Sequence, residues 1–222
     1  MEESKTGICH IAGAGDFHGF FQKNIGENDF IIAADGGLNY LSEAGIKPHM
    51  FMGDMDSVNP VNFPDEQMLF PSEKDDTDMM IAVKHGLELG YKRFYLYGVT
   101  GGRISHTIAN IQTLAYISQN NADGYMFGAN TILTAITDSK IEFKRETEGM
   151  ISVFSHGNRA EEIYIKGLKY PVNGDNFSNT FPRGVSNEFA GRESSISVKN
   201  GTLIIVIEHE FENPCEYLLN QI

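Results

Sequence analysis

Met50-Phe51-Met52-Gly53-Asp54-Met55-Asp56-Ser57 sets an apolar run directly before two carboxylates spaced two residues apart. The run reads as a buried strand, and a buried strand ends where a parallel sheet exposes its carboxyl edge. Acids at that edge contribute nothing to packing. Paired there, they suit a hard cation such as Mg²⁺, which takes oxygen ligands and bridges to substrate phosphates. A plain turn is the competing reading of Asp-x-Asp-Ser, since both residue types favour turns.

Upstream, Phe30-Ile31-Ile32-Ala33-Ala34 is apolar on both faces and stops at Asp35-Gly36-Gly37. A helix follows, with Leu38, Leu41 and Ala44 on one face, Gly45 as its C-terminal cap and Pro48 barring continuation. Strand, helix and strand at this spacing make a βαβ unit. Before it, Ile8 to Ala12 is a further strand, followed by Gly13-Ala14-Gly15-Asp16. The G-x-G-x-x-G spacing fails there because His18 precedes Gly19, so the glycines read as a tight turn.

Downstream, a loop rich in Pro and Asn is expected from Asn59 to Pro71, followed by Lys74-Asp75-Asp76-Thr77-Asp78 and a helix from Met79 to Leu89. Acids at a helix start are ordinary capping and dipole chemistry. Three acids and a lysine within five residues exceed what a cap requires, which marks at least one of them as functional. Lys92 to Tyr97 is another strand, then Gly98-Val99-Thr100-Gly101-Gly102-Arg103 leads into a long helix ending near Asn120. A glycine pair before a helix lets backbone N–H groups approach an anion, and Arg103 adds a bidentate phosphate donor. His106 reads equally well as a first-turn helix residue. A P-loop is excluded, because G-x-x-x-x-G-K-[ST] is absent from the chain.

After a short strand at Tyr125–Phe127 the texture changes. Short alternating segments follow at Thr131–Ile136, Ile141–Phe143, Met150–Phe154, Glu162–Ile165, Ser195–Val198 and Leu203–Glu208, punctuated by Gly, Asn and Pro. They predict an antiparallel β-sandwich. The expected division is an α/β domain over 1–128, with an open, mostly parallel sheet, and a β-sandwich domain over 129–222. The tail from Glu210 has no assignment.

The 222 residues suffice for a sizeable core. No apolar run reaches membrane-spanning length, no leader is visible, and two cysteines form no disulfide framework, so a soluble cytoplasmic protein is expected. A net charge of −13 argues against nucleic acid or an anionic membrane as partner. Any phosphorylated ligand then needs positive charge supplied locally, by a metal or by helix N-termini. In an open parallel sheet, ligands bind at the carboxyl ends of the strands. Asp35, Asp54, Asp56 and the Gly98–Arg103 loop each follow a strand and would share that edge, with Asp78 in reach at its helix start.

Taken in order, Ala34-Asp35-Gly36-Gly37, Gly53-Asp54-Met55-Asp56-Ser57, Lys74-Asp75-Asp76-Thr77-Asp78, Gly101-Gly102-Arg103 with His106 and Asn110, Gly167-Leu168-Lys169-Tyr170-Pro171 and Val185-Ser186-Asn187-Glu188 resemble the bacterial thiamine pyrophosphokinases. The resemblance spans almost the whole chain. It implies a homodimer with sites shared between subunits, and a Mg²⁺-dependent attack of the thiamine hydroxyl on the β-phosphorus of ATP, giving thiamine pyrophosphate and AMP. Asp54, Asp56 and Asp78 would hold Mg²⁺, with Asp35 beside the reacting groups. Lys74, Gly101, Gly102 and Arg103 would contact ATP. The first domain would bind ATP and the second thiamine, through Ser186, Asn187 and an aromatic wall at Tyr170.

One departure matters. The family usually reads G-G-R-x-D-H, and Ser105 stands where the acid would be. Ser105 keeps a place among the ATP-site residues as a hydroxyl able to cap the helix, but it is no carboxylate. Two rival readings remain. Asp54-Met55-Asp56-Ser57-Val58 also resembles the D-x-D-x-[TV] of haloacid dehalogenase-type phosphatases, whose first Asp is a covalent nucleophile. The departure at Ser105 favours a non-catalytic nucleotide or thiamine sensor.

Overall fold

Four apolar runs of the first half become neighbouring parallel strands. They are β1 (Cys9–Ala12), β2 (Phe30–Ala34), β3 (Met50–Gly53) and β5 (Arg93–Tyr97). The computed structural model describes residues 5–18, 25–54, 66–69 and 75–221. Within the stretch expected to be loop, Glu66–Leu69 forms β4, parallel to β3. With β6 (Asp123–Phe127) the order is β4-β3-β2-β1-β5-β6. The chain steps outward from β1 to β4 and then returns to the other side of β1 at β5. The β1/β5 pair is thus the switch point where an open sheet leaves a crevice at its carboxyl edge.

Helices α1 (Gly37–Glu43), α2 (Asp78–Glu88) and α3 (Ile104–Gln119) occupy the stretches expected to be helical. Leu38 and Leu41 of α1 and Ala82 and Val83 of α2 are fully buried with Ile11, Ile32, Phe51 and Leu96 of the strands. Each such side chain contributes roughly 1.5–3 kcal/mol of burial for the larger residues. Gly45, at φ +70°, ends α1 in the left-handed conformation, with Ile46 N–H donating back to the Leu41 carbonyl at 2.8 Å. Gly86 sits inside α2 because a Cβ there would lie 2.6 Å from the Phe94 ring and 2.9 Å from Cys9 Sγ.

A polar network crosses this core. His10 of β1 is fully buried, with Nδ1 3.1 Å from the Tyr97 hydroxyl and Nε2 3.0 Å from Asp29 Oδ2. Asp29 also accepts from the Ile8 and Gly26 N–H groups, each at 2.7 Å. Burial pushes the His10 pKa below its ordinary value, an effect only partly offset by Asp29. For Asp29 burial acts upward, and the two backbone N–H bonds with the His10 contact more than reverse it.

The chain divides into two compact units, one of residues 1–113 and 124–128, the other of 114–123 and 129–222. The second unit is antiparallel. β7 (Thr131–Thr137), β13 (Asn200–Glu208) and β9 (Met150–Lys166) pair in that order, and β12 (Ser194–Ser197) joins the far part of β9 to β8 (Lys140–Phe143). The two expected strands at Met150–Phe154 and Glu162–Ile165 are thus one long strand shared by both sheets of the sandwich. Between them its register against β13 shifts from His156 to Glu161, and Glu162 takes a φ of +51°. Two strands had no expectation: β10 (Val172–Phe177) and β11 (Gly184–Glu188), each paired with β9. The tail forms α4 (Pro214–Gln221), its first turn capped by Asn213 Oδ1, which accepts from the Cys215 N–H at 3.1 Å. Tyr217 anchors it by donating to the Glu148 carbonyl at 2.7 Å. Among the described residues no helix is long and apolar enough to cross a membrane.

Candidate active site

At the switch point the loops after β1 and β5 lie against each other. Gly13 N–H donates to the Tyr97 carbonyl at 2.8 Å, Gly15 N–H to Gly98 at 2.7 Å and Asp16 N–H to Thr100 at 2.8 Å. Glycine is required for this approach. A Cβ on Gly15 would lie 2.5 Å from the Thr100 carbonyl oxygen, and one on Gly98 would lie 2.4 Å from that of Gly13. Gly13 to Gly15 is therefore part of the site wall and not merely a tight turn. Its role depends on a partner loop far away in sequence, which the failed dinucleotide spacing cannot reveal.

The two loops border a cavity of about 450 Å³, also lined by Asp35, Asp76, Thr77, Asp78, Gly101, Gly102, Arg103, His106 and Asn110. Asp35 occupies a left-handed backbone conformation (φ +51°) at the end of β2, fixed by its N–H to the Met52 carbonyl at 2.8 Å. A non-glycine residue held there is strained, a condition that clusters at functional sites. Thr77 is the N-cap of α2, its hydroxyl accepting from the Met80 N–H at 3.2 Å. Capping therefore does not account for the acids around it. Asp76 pairs with Lys84 at 2.6 Å, and Asp78, in the first turn, faces the cavity.

Gly101 and Gly102 both have positive φ (+77° and +58°) and are exposed with Arg103. The Arg103 carbonyl accepts from the His106 N–H at 3.0 Å, so Arg103 holds the capping position of α3. Ser105 lies inside the first turn, exposed and outside the cavity lining, which removes the hydroxyl cap expected of it. Asn110 is buried and donates from Nδ2 to the Val99 carbonyl at 2.8 Å, tying α3 to the glycine loop.

Asp54 immediately follows β3 and is half-buried. Asp56 and Lys74 lie outside the described residues. Among the described residues no three His, Cys, Asp or Glu side chains form a metal-binding group. The donors that line the cavity, Asp35, Asp76 and Asp78, are carboxylates, and hard oxygen donors fit Mg²⁺.

In the second unit Ser186 and Asn187 lie on β11, an edge strand with a bulge where Ser186 takes φ +60°. The Ser186 N–H donates to Ser152 Oγ at 3.1 Å. Asn187 is buried, and its side chain bonds to the backbone of Tyr170. Tyr170 is 57% exposed, with Lys169 Nζ 5.4 Å from its ring centroid.

A family model described as "Thiamin pyrophosphokinase, catalytic domain" matches residues 21–126, and one described as "Thiamin pyrophosphokinase, vitamin B1 binding domain" matches residues 138–203. A curated relative, the thiamine pyrophosphokinase of Bacillus subtilis (strain 168), is 26% identical over 187 residues, 81% of this chain and 87% of the relative. The crystal structure of thiamine pyrophosphokinase from Bacillus subtilis superposes with a TM-score of 0.81 at 25% identity, covering 93% of this chain and all 100% of that one. That of the Geobacillus thermodenitrificans protein gives 0.77 at 26% identity, covering 93% and 99%. Yeast thiamin pyrophosphokinase shares the fold, with a TM-score of 0.72 at 16% identity over 94% and 87% of the two chains. Both halves of this chain thus match the two parts of one enzyme family, in order, and the chain belongs to the thiamine pyrophosphokinase family.

Proposed function

We propose that this family member transfers the pyrophosphoryl group of ATP to the hydroxyl of thiamine, with Mg²⁺, giving thiamine pyrophosphate and AMP. The observation that carries the reading is the cavity at the β1/β5 switch point, whose lining combines the carboxylates Asp35, Asp76 and Asp78 with the glycine loop and Arg103. A chain of net charge −13 must supply positive charge locally to hold a triphosphate. Gly101 and Gly102 offer backbone N–H groups, the start of α3 adds its dipole, and Arg103 adds a guanidinium. Lys74 is assigned to the same phosphates. Asp54, Asp56 and Asp78 would hold the metal, which would neutralise phosphate charge.

In the transfer, the thiamine hydroxyl oxygen bonds to the β-phosphorus as the bond to the α-bridging oxygen breaks and AMP leaves. Asp35, which lines the cavity, takes the hydroxyl proton in this reading. The protein contributes mainly position and charge, which is most of what phosphoryl-type transfer asks of it. The division into an ATP-binding domain (1–128) and a thiamine-binding domain (129–222) belongs to the same proposal, with Ser186 and Tyr170 on the thiamine face.

We also propose a homodimer in the cytoplasm. The dimer is supported by Ile104 and Ile108, one helical turn apart on α3 and 78% and 54% exposed. The compartment is supported by the ATP requirement and by two free cysteines, Cys9 and Cys215. The reaction is tested with ATP labelled in the γ-phosphate. Label recovered in thiamine pyrophosphate supports the reading; label recovered only as free phosphate refutes it.

A further inference from the structure

The glycine loop assigned to the triphosphate has a carboxylate set against it by a residue that the reaction does not use. Asp16 follows the Gly13–Gly15 wall, and its backbone N–H donates to the Thr100 carbonyl at 2.8 Å. On its other side the Phe17 ring stacks on Tyr40 of α1, with centroids 5.0 Å apart and planes 8° from parallel. Asp16 is therefore anchored from both directions along the chain, and its side chain reaches Gly101. A Cβ on Gly101 would overlap Asp16 Oδ2 and lie 2.7 Å from Oδ1, so the carboxylate fills the space where a side chain at 101 would stand.

Thr100 and Gly101 both line the cavity. Among the described residues no hydrogen bond or ion pair takes up the Asp16 carboxylate. Asp76, by contrast, is matched by Lys84. Asp16 is also exposed, so packing does not call for an acid there. Placed against an anion-receptive loop, its charge opposes the charge that the loop is suited to hold.

We infer that Asp16 is a specificity-determining residue of the nucleotide site: its charge at Gly101 discriminates against metal-free polyphosphate and in favour of the Mg²⁺ complex. This rests on the ATP reading above and deepens it. The Mg²⁺ complex of ATP carries roughly two fewer negative charges than the free nucleotide, so one carboxylate repels it about half as strongly. The glycine N–H groups and Arg103 attract either form, and Asp16 penalises the metal-free one. The site is thereby kept clear of a competitor that cannot react.

Isothermal titration calorimetry on the full chain, without thiamine so that no transfer occurs, compares ATP in EDTA with ATP in excess Mg²⁺. Asp16→Asn keeps the shape of the side chain and removes its charge. It should tighten binding of metal-free ATP about fivefold and of the Mg²⁺ complex only about twofold, with both gains shrinking as salt is raised. Asp16→Lys, which reverses the charge, should carry the same trend further.

Equal tightening of the two forms, unchanged affinities, or a gain insensitive to salt overturns the discrimination. Weaker binding of the Mg²⁺ complex alone would make Asp16 a metal ligand and overturns it too. A wild-type chain that binds neither form refutes the ATP reading itself. Wild-type binding of the Mg²⁺ complex with no effect of Asp16→Asn removes only this inference.

Discussion

Gly98 and Gly102 allow the close approach of the two site loops to be weighed in isolation. Their backbones are nearly the same, at φ +60° and +58°, but their surroundings differ. A Cβ on Gly98 would meet the Gly13 carbonyl oxygen at 2.4 Å, well inside the 3.0 Å that real Cβ contacts respect; on Gly102 it would meet nothing within 4 Å. Alanine at either position adopts the left-handed region at a cost of about 1–2 kcal/mol. Only at Gly98 is there a further overlap with backbone, and overpacking of that kind costs about 1–3 kcal/mol more. For a chain of this size each kcal/mol lowers the melting temperature by roughly 2–4 °C. Gly102→Ala should therefore melt roughly 2–8 °C below wild type. Gly98→Ala should melt about 2–12 °C lower again, because the overlap adds to the same backbone term. Differential scanning calorimetry on the two variants, with the KM for ATP measured alongside, is the assay. Gly98→Ala should also raise that KM, since relief of the overlap moves the Gly13–Gly15 wall. Equal melting temperatures for the two variants would refute the claim that these loops touch closely enough to exclude a methyl group.

Asp54→Asn should abolish Mg²⁺-dependent turnover while the circular dichroism spectrum stays native; wild-type rates would rule out a metal role for Asp54. Asn110→Ala leaves the buried Val99 carbonyl without its donor and should destabilise the chain by about 1–3 kcal/mol while raising the KM for ATP. Denaturant unfolding and initial-rate kinetics check both parts. Ser105→Asp should hold or raise activity, and a collapse would show that the site has reorganised around the serine. His10 sets a pH dependence. Its folded pKa lies below the ordinary 6.5, because burial favours the neutral ring. The unfolded chain therefore takes a proton that the folded chain resists, and stability falls as the pH drops through about 6.5 toward the folded value. Thermal melts of His10→Gln should lose that slope while retaining the Asp29 loss, which sets in lower, below about 3.8, where the unfolded carboxyl protonates.

The parallel half of the fold was legible because its central strands are buried on both faces and read as unbroken apolar runs, such as Phe30–Ala34 and Met50–Met52. Edge strands carry no such signal. β4 reads Glu-Gln-Met-Leu, and β11 reads Gly-Val-Ser-Asn-Glu, turn-forming residues that pair only with β9. The length of β9 was hidden by its exposed middle, Gly157 to Arg159, where an alternating pattern lapses without the strand ending. α4 did have a signal, Asn213-Pro214, a capping residue followed by the proline favoured at the first helical position.

Within the candidate site, Asp35, Asp78 and the Gly98–Arg103 loop were legible because each directly follows a strand or starts a helix. The part played by Gly13 to Gly15 was not, since it lies in contacts with Gly98 and Thr100 that no local pattern encodes. The Asn187 bonds to Tyr170 are of the same kind. The motif marks both residues but not that one holds the other.

The most direct test of the central claim is to incubate the purified chain with ATP, Mg²⁺ and thiamine and quantify the nucleotides and thiamine esters by chromatography. AMP and thiamine pyrophosphate should accumulate one for one and cease when the metal is chelated. ADP or free phosphate in place of AMP would contradict pyrophosphoryl transfer, and phosphate released from a monoester would favour the phosphatase reading. Binding of ATP or thiamine without any product would instead favour the sensor.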